Sequence, residues 1–161
     1  MLSVAEARQN ILSAITPLAA RAVPLAGALD DVLADDVVAT LNLPAWDNSA
    51  VDGFAVRSSD VAGAGENNPI HLRVLAEQPA GSAPTHSLEP QSCVRIFTGA
   101  PLPSGADAVV MQEETRPHHE GYVAIVESVD LGENIRRAGE DVSAGGTVLR
   151  DRKSTRLNSS H

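Results

Sequence analysis

The placement of proline after residue 68 limits this chain to short extended segments. Six prolines fall between residues 69 and 103: Pro69, Pro79, Pro84, Pro90, Pro101 and Pro103. Because proline lacks the amide proton that a sheet ladder needs, each of them marks a loop and not the interior of a strand. Runs of strand length lie between and around these loops, at Gly53–Arg57, Ile70–Ala76, Cys93–Phe97, Ala108–Gln112 and Tyr122–Val129. We therefore predict an all-β body of five or six strands, curved or barrel-like, with both faces partly covered.

The first 43 residues follow a helical pattern instead. Ser3 and Glu6 match a capping box, and the apolar residues after them recur at helical spacing on one face: Val4, Ala7, Ile11, Ile15 and Leu18. Pro17 should end this helix. We predict a second short helix at Leu29–Leu33 and an extended stretch from Val37 to Pro44. The chain is therefore expected to be of a mixed α+β class.

Charge and composition exclude several classes of partner. The formal net charge of −9 would repel phosphate backbones and anionic lipid, and four scattered aromatic side chains do not make a stacking platform for single-stranded nucleic acid. No apolar run reaches the roughly 20 residues that span a bilayer. The single cysteine, Cys93, cannot form an internal disulfide, and no signal peptide opens the chain. We expect a cytoplasmic protein with no nucleic-acid or membrane partner.

The last residues differ from the rest in composition. The segment from Asp151 to His161 reads DRKSTRLNSSH and has no Ala, Val or Gly, although these types dominate the preceding sequence. It resembles a vector or adapter read-through, and we expect 150–161 to be a non-native tail; a native solvated tail is the alternative. Residues 1–151, which exclude the three basic residues of this segment, carry 9 basic and 21 acidic residues, a net charge of −12.

A dense polar cluster follows Pro44. Four polar residues, Asp47, Asn48, Ser49 and Asp52, fall within six consecutive positions that follow Trp46, the only tryptophan. Such side chains favour tight turns by bonding to nearby backbone N–H groups, so one interpretation is a turn that leads into a strand. The other is a set of hard oxygen ligands of the kind that Mg²⁺ prefers.

Two further turns could hold a ligand. Thr98 and Gly99 follow a predicted strand, and such a turn can direct its N–H groups and the Thr hydroxyl at an anion, although a plain connecting loop fits as well. Asp141 lies in a Gly-Glu-Asp turn after two arginines, which suits an anionic substrate, a partner surface or a solvated turn. His118 and His119 are too close together to bind one metal ion on a strand face. Cys93 is interpreted as a small buried hydrophobe.

Three long motifs occur in order: LPAWDNSAVDGFAVR, RIFTGAPLPSGADAVVMQEET and GENIRRAGEDVSAGGTVL. Together they resemble the N-terminal part of the molybdopterin molybdenumtransferases, the molybdenum-insertion enzymes of cofactor biosynthesis, which are related to the C-terminal part of gephyrin. The resemblance covers nearly all of residues 1–149. It implies a homodimeric enzyme that inserts molybdenum from molybdate into adenylylated molybdopterin, with Mg²⁺, and releases AMP. Other enzymes of molybdenum cofactor biosynthesis are further expected partners.

The resemblance also implies the site residues. Asp52, Thr98 and Asp141 match positions that face the active cleft and are expected to be catalytic, while Ser49, Gly53 and Gly99 are expected to bind the cofactor substrate. Asp47, Asn48 and Ser49 are also expected to shape the first motif. Which carboxylate contacts the metal is left open by the sequence. Trp46, Val51 and Phe54 replace the family's usual aromatic and Met variants without touching the polar residues.

The resemblance implies a domain plan as well. Residues 1–43 and 131–149 are expected to form parts of an incomplete, elongated α/β dimerisation domain, into which a small barrel-like β domain, 44–130, is inserted. The family's molybdopterin-binding domain should begin shortly after Leu149, so we expect the chain to be inactive by itself. The alternative is a stand-alone interaction or dimerisation module without catalysis.

Overall fold

The structure, a computed structural model, describes residues 2–16 and 18–151. The described residues divide into two compact units, one formed by those up to Val37 together with 147–151 and the other by 38–146. Pro17 and residues 152–161 of the predicted non-native tail lie outside the described residues. Across the described ranges, no helix combines the length and the apolar character needed to cross a bilayer.

The described residues form one α-helix and short strands. The elements are α1 (Val4–Ala14), β1 (Val37–Val38), β2 (Asn48–Ser49), β3 (Gly53–Val56), β4 (Ile70–Gln78), β5 (Ser92–Ile96), β6 (Ala108–Met111), β7 (Thr115–Pro117), β8 (Tyr122–Ile125), β9 (Ile135–Arg136) and β10 (Thr147–Leu149). Strands β1 and β10 form a two-stranded sheet, as do β2 and β9. The described chain is thus mostly β, and the elongated dimerisation domain stays a prediction.

Helix α1 begins with the predicted capping box. The Ser3 Oγ accepts a hydrogen bond from the Glu6 amide at 3.2 Å, and Glu6 Oε2 accepts one from the Ser3 amide at 2.7 Å. The helix ends at Ala14, and Ile15 is already extended. None of its residues is buried, so its apolar face has no cover within the described residues.

The prediction of a second helix at Leu29–Leu33 is wrong. A single 3₁₀ turn at Leu25–Gly27 precedes this segment, which contains only turns and extended backbone. Asp30 has a φ of 69°, in the left-handed region that a right-handed helix does not accept. The apolar spacing was therefore a weaker signal here than the turn chemistry of the two adjacent aspartates.

The second unit is built on a curled six-stranded sheet with the order β6-β3-β5-β4-β8-β7. All neighbours are antiparallel except β4 and β5, whose register shifts between Val74 and Glu77. The predicted strands are confirmed, although the last forms only over Tyr122–Ile125. Strand β7 was not predicted; it contains Pro117, which an edge strand tolerates because one side makes no ladder bonds.

Both faces of the sheet are covered, as predicted. One core cluster contains Phe54, Val56, Val61, Leu72, Cys93, Ala108, Val110, Val123, Ile125 and Val129. On the other face, Ala55, Ile96, Ala100 and Val109 pack together with Ile135 of β9 and with Val51. This second cluster fixes the loops that carry the three motifs against the sheet.

Candidate functional site

Asp52 and Thr98 are in direct contact, although 46 residues separate them in the chain. The Asp52 Oδ1 accepts a hydrogen bond from the Thr98 amide at 2.7 Å and another from the Thr98 hydroxyl at 2.8 Å. Asp52 immediately precedes β3 and Thr98 follows β5, and these strands pair with Gly53 opposite Ile96. Sheet register therefore brings together two of the three residues predicted to be catalytic.

Asp52 is held in its ionised form. The Thr98 amide, the Thr98 hydroxyl and the nearby charge of Arg95 lower the pKa of its carboxyl below the ordinary 3.8. The residue is exposed, and no described residue donates a hydrogen bond to its Oδ2. Asp52 therefore presents a fixed negative charge at the surface of the second unit.

For the Thr98 turn, the sequence left open an anion site and a plain connecting loop, and the hydrogen bonds of the turn favour the loop. The amide of Thr98 donates to Asp52, that of Gly99 to the Ser49 carbonyl at 2.8 Å, and that of Ala100 to the Phe97 carbonyl at 2.9 Å. The hydroxyl of Thr98 also donates to Asp52. Because these donors already bond within the protein, the turn presents the Asp52 carboxylate to solvent and has no free N–H groups at Thr98, Gly99 or Ala100 for an anion.

Strand β2 connects all three motifs. Its Ser49 amide donates to the Ala100 carbonyl at 3.0 Å, its Ser49 carbonyl accepts from Gly99, and Asn48 and Ser49 pair with Arg136 and Ile135 of β9. Both Asn48 and Ser49 are buried. The Ser49 hydroxyl bonds to the backbone of Val51, so this residue shapes the loop before Asp52.

Gly53 and Gly99 have different physical roles. A methyl group on Gly53 would overlap the carbonyl oxygen of Val110 on the neighbouring strand β6, so this glycine permits the close approach of two strands. Gly99 has a φ of 80° and open space where a Cβ would be. Gly99 is exposed beside Asp52 and Thr98, whereas Gly53 is buried beneath them.

Asp141 belongs to a neighbouring cluster of ion pairs. Its Oδ2 accepts a hydrogen bond from Arg136, which raises the pKa of that guanidinium. In the adjacent pair, Asp47 accepts from the Ala138 amide at 2.8 Å and from Arg137 at 2.7 Å, and these bonds lower the pKa of Asp47. The third motif is therefore joined to the first through Asp47 and β2, and no direct bond links Asp141 to Asp52 among the described residues.

Arg95 is a site residue that the sequence analysis did not single out. It lies opposite Phe54 on β5 and contributes to the lowered pKa of Asp52. Its guanidinium carbon lies 5.4 Å from the centre of the Phe97 ring, within the range of a cation–π contact. Its position three residues before Thr98, on the strand that leads to the turn, is the signal that could have identified it.

The described residues contain no group of three or more His, Cys, Asp and Glu side chains arranged to hold a metal ion. His71 and His118 are stacked, with ring centres 3.9 Å apart, and His119 lies against His118 and Tyr122. Cys93 is fully buried, as predicted, and burial raises its thiol pKa to about 12. Any metal at the surface of this unit would therefore take its other ligands from a substrate, from water or from residues outside the described ranges.

The relatives that the chain matches are longer proteins. The chain is 46% identical over 149 residues to molybdopterin molybdenumtransferase 2 of Mycobacterium tuberculosis, covering 92% of this chain and 36% of that protein. It is 37% identical over 150 residues to the molybdopterin molybdenumtransferase of Haemophilus influenzae, covering 92% and 36%. The chain therefore spans about a third of the length of these relatives.

A solved structure and a family profile match the chain as well. The molybdopterin biosynthesis moeA protein from Pyrococcus horikoshii OT3 has a TM-score of 0.76 to this chain at 40% identity, covering 80% of this chain and 34% of that one. The family profile described as "MoeA N-terminal region (domain I and II)" matches residues 2–161. Since this match covers nearly the whole chain, the chain belongs to the MoeA N-terminal region family.

Proposed function

We propose that this chain supplies one wall of the active cleft of a molybdenumtransferase. In this reaction, molybdenum from molybdate is inserted into adenylylated molybdopterin and AMP is released. The observation that carries the proposal is the Asp52–Thr98 contact, which joins two family motifs across a strand pair. The names of the relatives supply the reaction class.

In this proposal, Asp52 is the principal catalytic residue. Its charge is fixed by the two Thr98 donors, so it needs no reorganisation when a cationic group approaches. Thr98 acts by positioning the carboxylate with its hydroxyl and amide. Asp141 provides a second acidic position, and its side chain is held by Arg136. Gly99 leaves room for the substrate to approach the turn.

Mg²⁺ fits this donor set as a bridge to the substrate. The ion is usually held by one or two carboxylates together with substrate phosphates and water, and the exposed Oδ2 of Asp52 is a carboxylate oxygen with no donor among the described residues. Bound there, the ion would neutralise the phosphoanhydride as AMP leaves. Without a cation, Asp52 would repel both molybdate and phosphate, because all three are anionic.

The other parts of the proposal extend beyond this chain. The chain spans 36% of its Mycobacterium tuberculosis relative, and we place the opposite wall of the cleft in the remaining part of the protein. The full-length protein would then act as a cytoplasmic homodimer, with each cleft shared between subunits. The chain by itself would have no transferase activity.

A chimera tests this function. Residues 1–151 would replace the corresponding segment of the Mycobacterium tuberculosis transferase, and molybdenum insertion would be measured with adenylylated molybdopterin and molybdate. We expect Asp52→Ala to lower the rate by about 10²-fold, the size of effect seen when one preorganised charge-stabilising group is removed. Asp130→Ala, another exposed carboxylate of the same unit, is the matched control and should retain the rate. A fully active Asp52→Ala chimera would contradict the proposal.

A second candidate function is a stand-alone interaction or dimerisation module. The exposed apolar face of α1 favours it, since Val4 is 88% and Ile11 62% exposed. Sedimentation of the 161-residue chain distinguishes the candidates when combined with the chimera. If the 161-residue chain dimerises through α1 and the Asp52→Ala chimera keeps full activity, the two results together favour the interaction module over the catalytic wall.

A further inference from the structure

A pocket of about 250 Å³ lies beside the only tryptophan of the chain. It is lined by Trp46, Pro101 and the loop residues Gly81, Ser82, Ala83 and Pro84. None of these side chains is ionisable, in contrast to the charged cluster around Asp47. The indole of Trp46 is 54% exposed, so a flat aromatic surface forms one wall of the pocket.

Hydrogen bonds hold the loop of residues 81–84 that lines the pocket. The side chain of Gln78 at the end of β4 is 4% exposed, and its Nε2 donates to the Ser82 carbonyl at 2.8 Å. A second hydrogen bond, between the Leu88 amide and the Ser104 carbonyl at 2.8 Å, ties the far end of this loop to the segment after Pro101. The loop is therefore attached to the unit on both sides of the pocket.

The backbone around Trp46 is fixed as well. The Leu102 amide donates to the Asp47 carbonyl at 3.1 Å, and the Asn48 side chain donates to the Trp46 carbonyl at 3.3 Å. The Asp47 side chain is held by Arg137 and by the Ala138 amide. An exposed tryptophan on a fixed backbone, in a pocket that two prolines also line, is a preformed surface for a flat ligand.

The shape and chemistry of the pocket select the ligand class. An indole stacks favourably on other planar π systems, and a lining without ionisable side chains does not select a charged group. The pocket is smaller than the roughly 300–1,000 Å³ of sites that hold a complete drug-sized ligand. It therefore suits one ring system of a larger molecule.

The pocket is close to Asp52 and Thr98. Pro101 lies three residues after Thr98, so their Cα atoms are at most about 11 Å apart. We infer that the pocket between Trp46, Pro84 and Pro101 binds the planar heteroaromatic ring of the substrate whose anionic part reaches Asp52. The inference rests on the proposed function, and the ring is either the pterin or the adenine of adenylylated molybdopterin.

Trp46 fluorescence provides a direct test with the 161-residue chain. Pterin and AMP would be titrated separately, with ribose 5-phosphate as a control for the sugar and phosphate, and N-acetyltryptophanamide would correct for absorbance and collisions. We expect saturable quenching by pterin or AMP in the millimolar range, as expected for a small fragment. The compound that saturates identifies the ring. Quenching equal to that of N-acetyltryptophanamide for both compounds would overturn the inference.

Variants locate the binding. Ligand-induced changes in the amide NMR shifts of Gly81 and Ser82 report binding of the ring and can be measured in variants that lack the indole. Trp46→Ala should abolish these changes, and Trp46→Phe should retain them. Tyr122→Ala, which removes an aromatic ring from a residue outside this pocket, should leave the shifts unchanged. Shifts that persist in Trp46→Ala would place the ring elsewhere and overturn the inference.

The chimera separates this inference from the proposed function. Trp46→Ala should raise KM for adenylylated molybdopterin about tenfold or more with a smaller change in kcat, and Trp46→Phe should restore KM. An unchanged KM in Trp46→Ala would overturn the subsite, even if Asp52→Ala abolishes activity. Conversely, an active Asp52→Ala chimera with Trp46-dependent ring binding would overturn the role of Asp52 and leave the subsite standing.

Discussion

The carboxylate of Asp52 accepts two hydrogen bonds from one residue, Thr98, through the same oxygen, Oδ1. The donors are the backbone amide at 2.7 Å and the side-chain hydroxyl at 2.8 Å. Two short bonds to one carboxylate oxygen favour the ionised form, and they leave Oδ2 directed away from Thr98. This arrangement combines a structural link between two motifs with an exposed carboxylate that is ionised at neutral pH.

The first prediction concerns the titration of Asp52. By carboxyl ¹³C NMR, Asp52 should titrate below its ordinary 3.8, and Thr98→Val should raise this pKa only partly, because the backbone amide is the larger contributor and remains. The carboxyl pKa is lower in the folded than in the unfolded state. The contribution of this group to folding stability is therefore complete above the unfolded-state pKa and is lost as the pH falls through the folded-state pKa. Thr85→Val, whose hydroxyl contacts His86, is the control.

The contact could be anticipated in part. The turn chemistry of Asp52 and Thr98 and the extended runs on either side were visible in the sequence, because proline, glycine and Asx residues act locally. The register that sets Gly53 opposite Ile96 was not visible in the sequence, because strand pairing depends on contacts between distant segments. For the same reason, the two-residue strands β2 and β9 and the parallel pairing of β4 with β5 had no local signal.

Other errors have local causes. The spacing of apolar residues at Leu29–Leu33 suited a helix, but the left-handed Asp30 prevents one. For the Thr98 turn, an anion site and a plain connecting loop were both possible from the sequence, and the N–H groups bond to Asp52, Ser49 and Phe97. Sequence identifies a turn more readily than it identifies what the donors of that turn will bond to.

Gly53→Ala should destabilise the second unit. The added methyl would overlap the Val110 carbonyl, which is part of strand β6 and cannot move without breaking the sheet. We expect a loss of about 1–3 kcal/mol or more in the free energy of unfolding, as for other overpacked interiors, measured by urea denaturation. Gly65→Ala is the control, because nothing lies within 4 Å of the added methyl. Equal stabilities of the two variants would contradict this role of Gly53.

The thiol of Cys93 should be unreactive in the folded chain. With its pKa raised to about 12 by burial, about one thiol in 10⁴ is ionised at pH 8, and the thiolate is the reactive form. Ellman's reagent should therefore react at least about 10³-fold more slowly with the native chain than with the chain in guanidinium, where the pKa is near 8.5. Similar rates under the two conditions would mean that Cys93 is exposed in solution.

His118 should titrate below its ordinary value of 6.5. Partial desolvation of its ring, which stacks on His71 at 3.9 Å between centres, lowers this pKa, and a proton on His118 would also be repelled by charge on His71 and His119. Since its pKa is lower in the folded than in the unfolded state, the unfolded chain takes up its proton first, and stability falls as the pH drops from about 6.5 through the folded value. Proton NMR gives the pKa of His118, and urea midpoints at pH 7 and pH 5 give the stability.

His71→Phe keeps a stacked ring but removes its charge, so it should raise the pKa of His118 only partly, whereas His71→Ala should raise it further. A wild-type His118 that titrates at or above 6.5 would contradict the stacked arrangement.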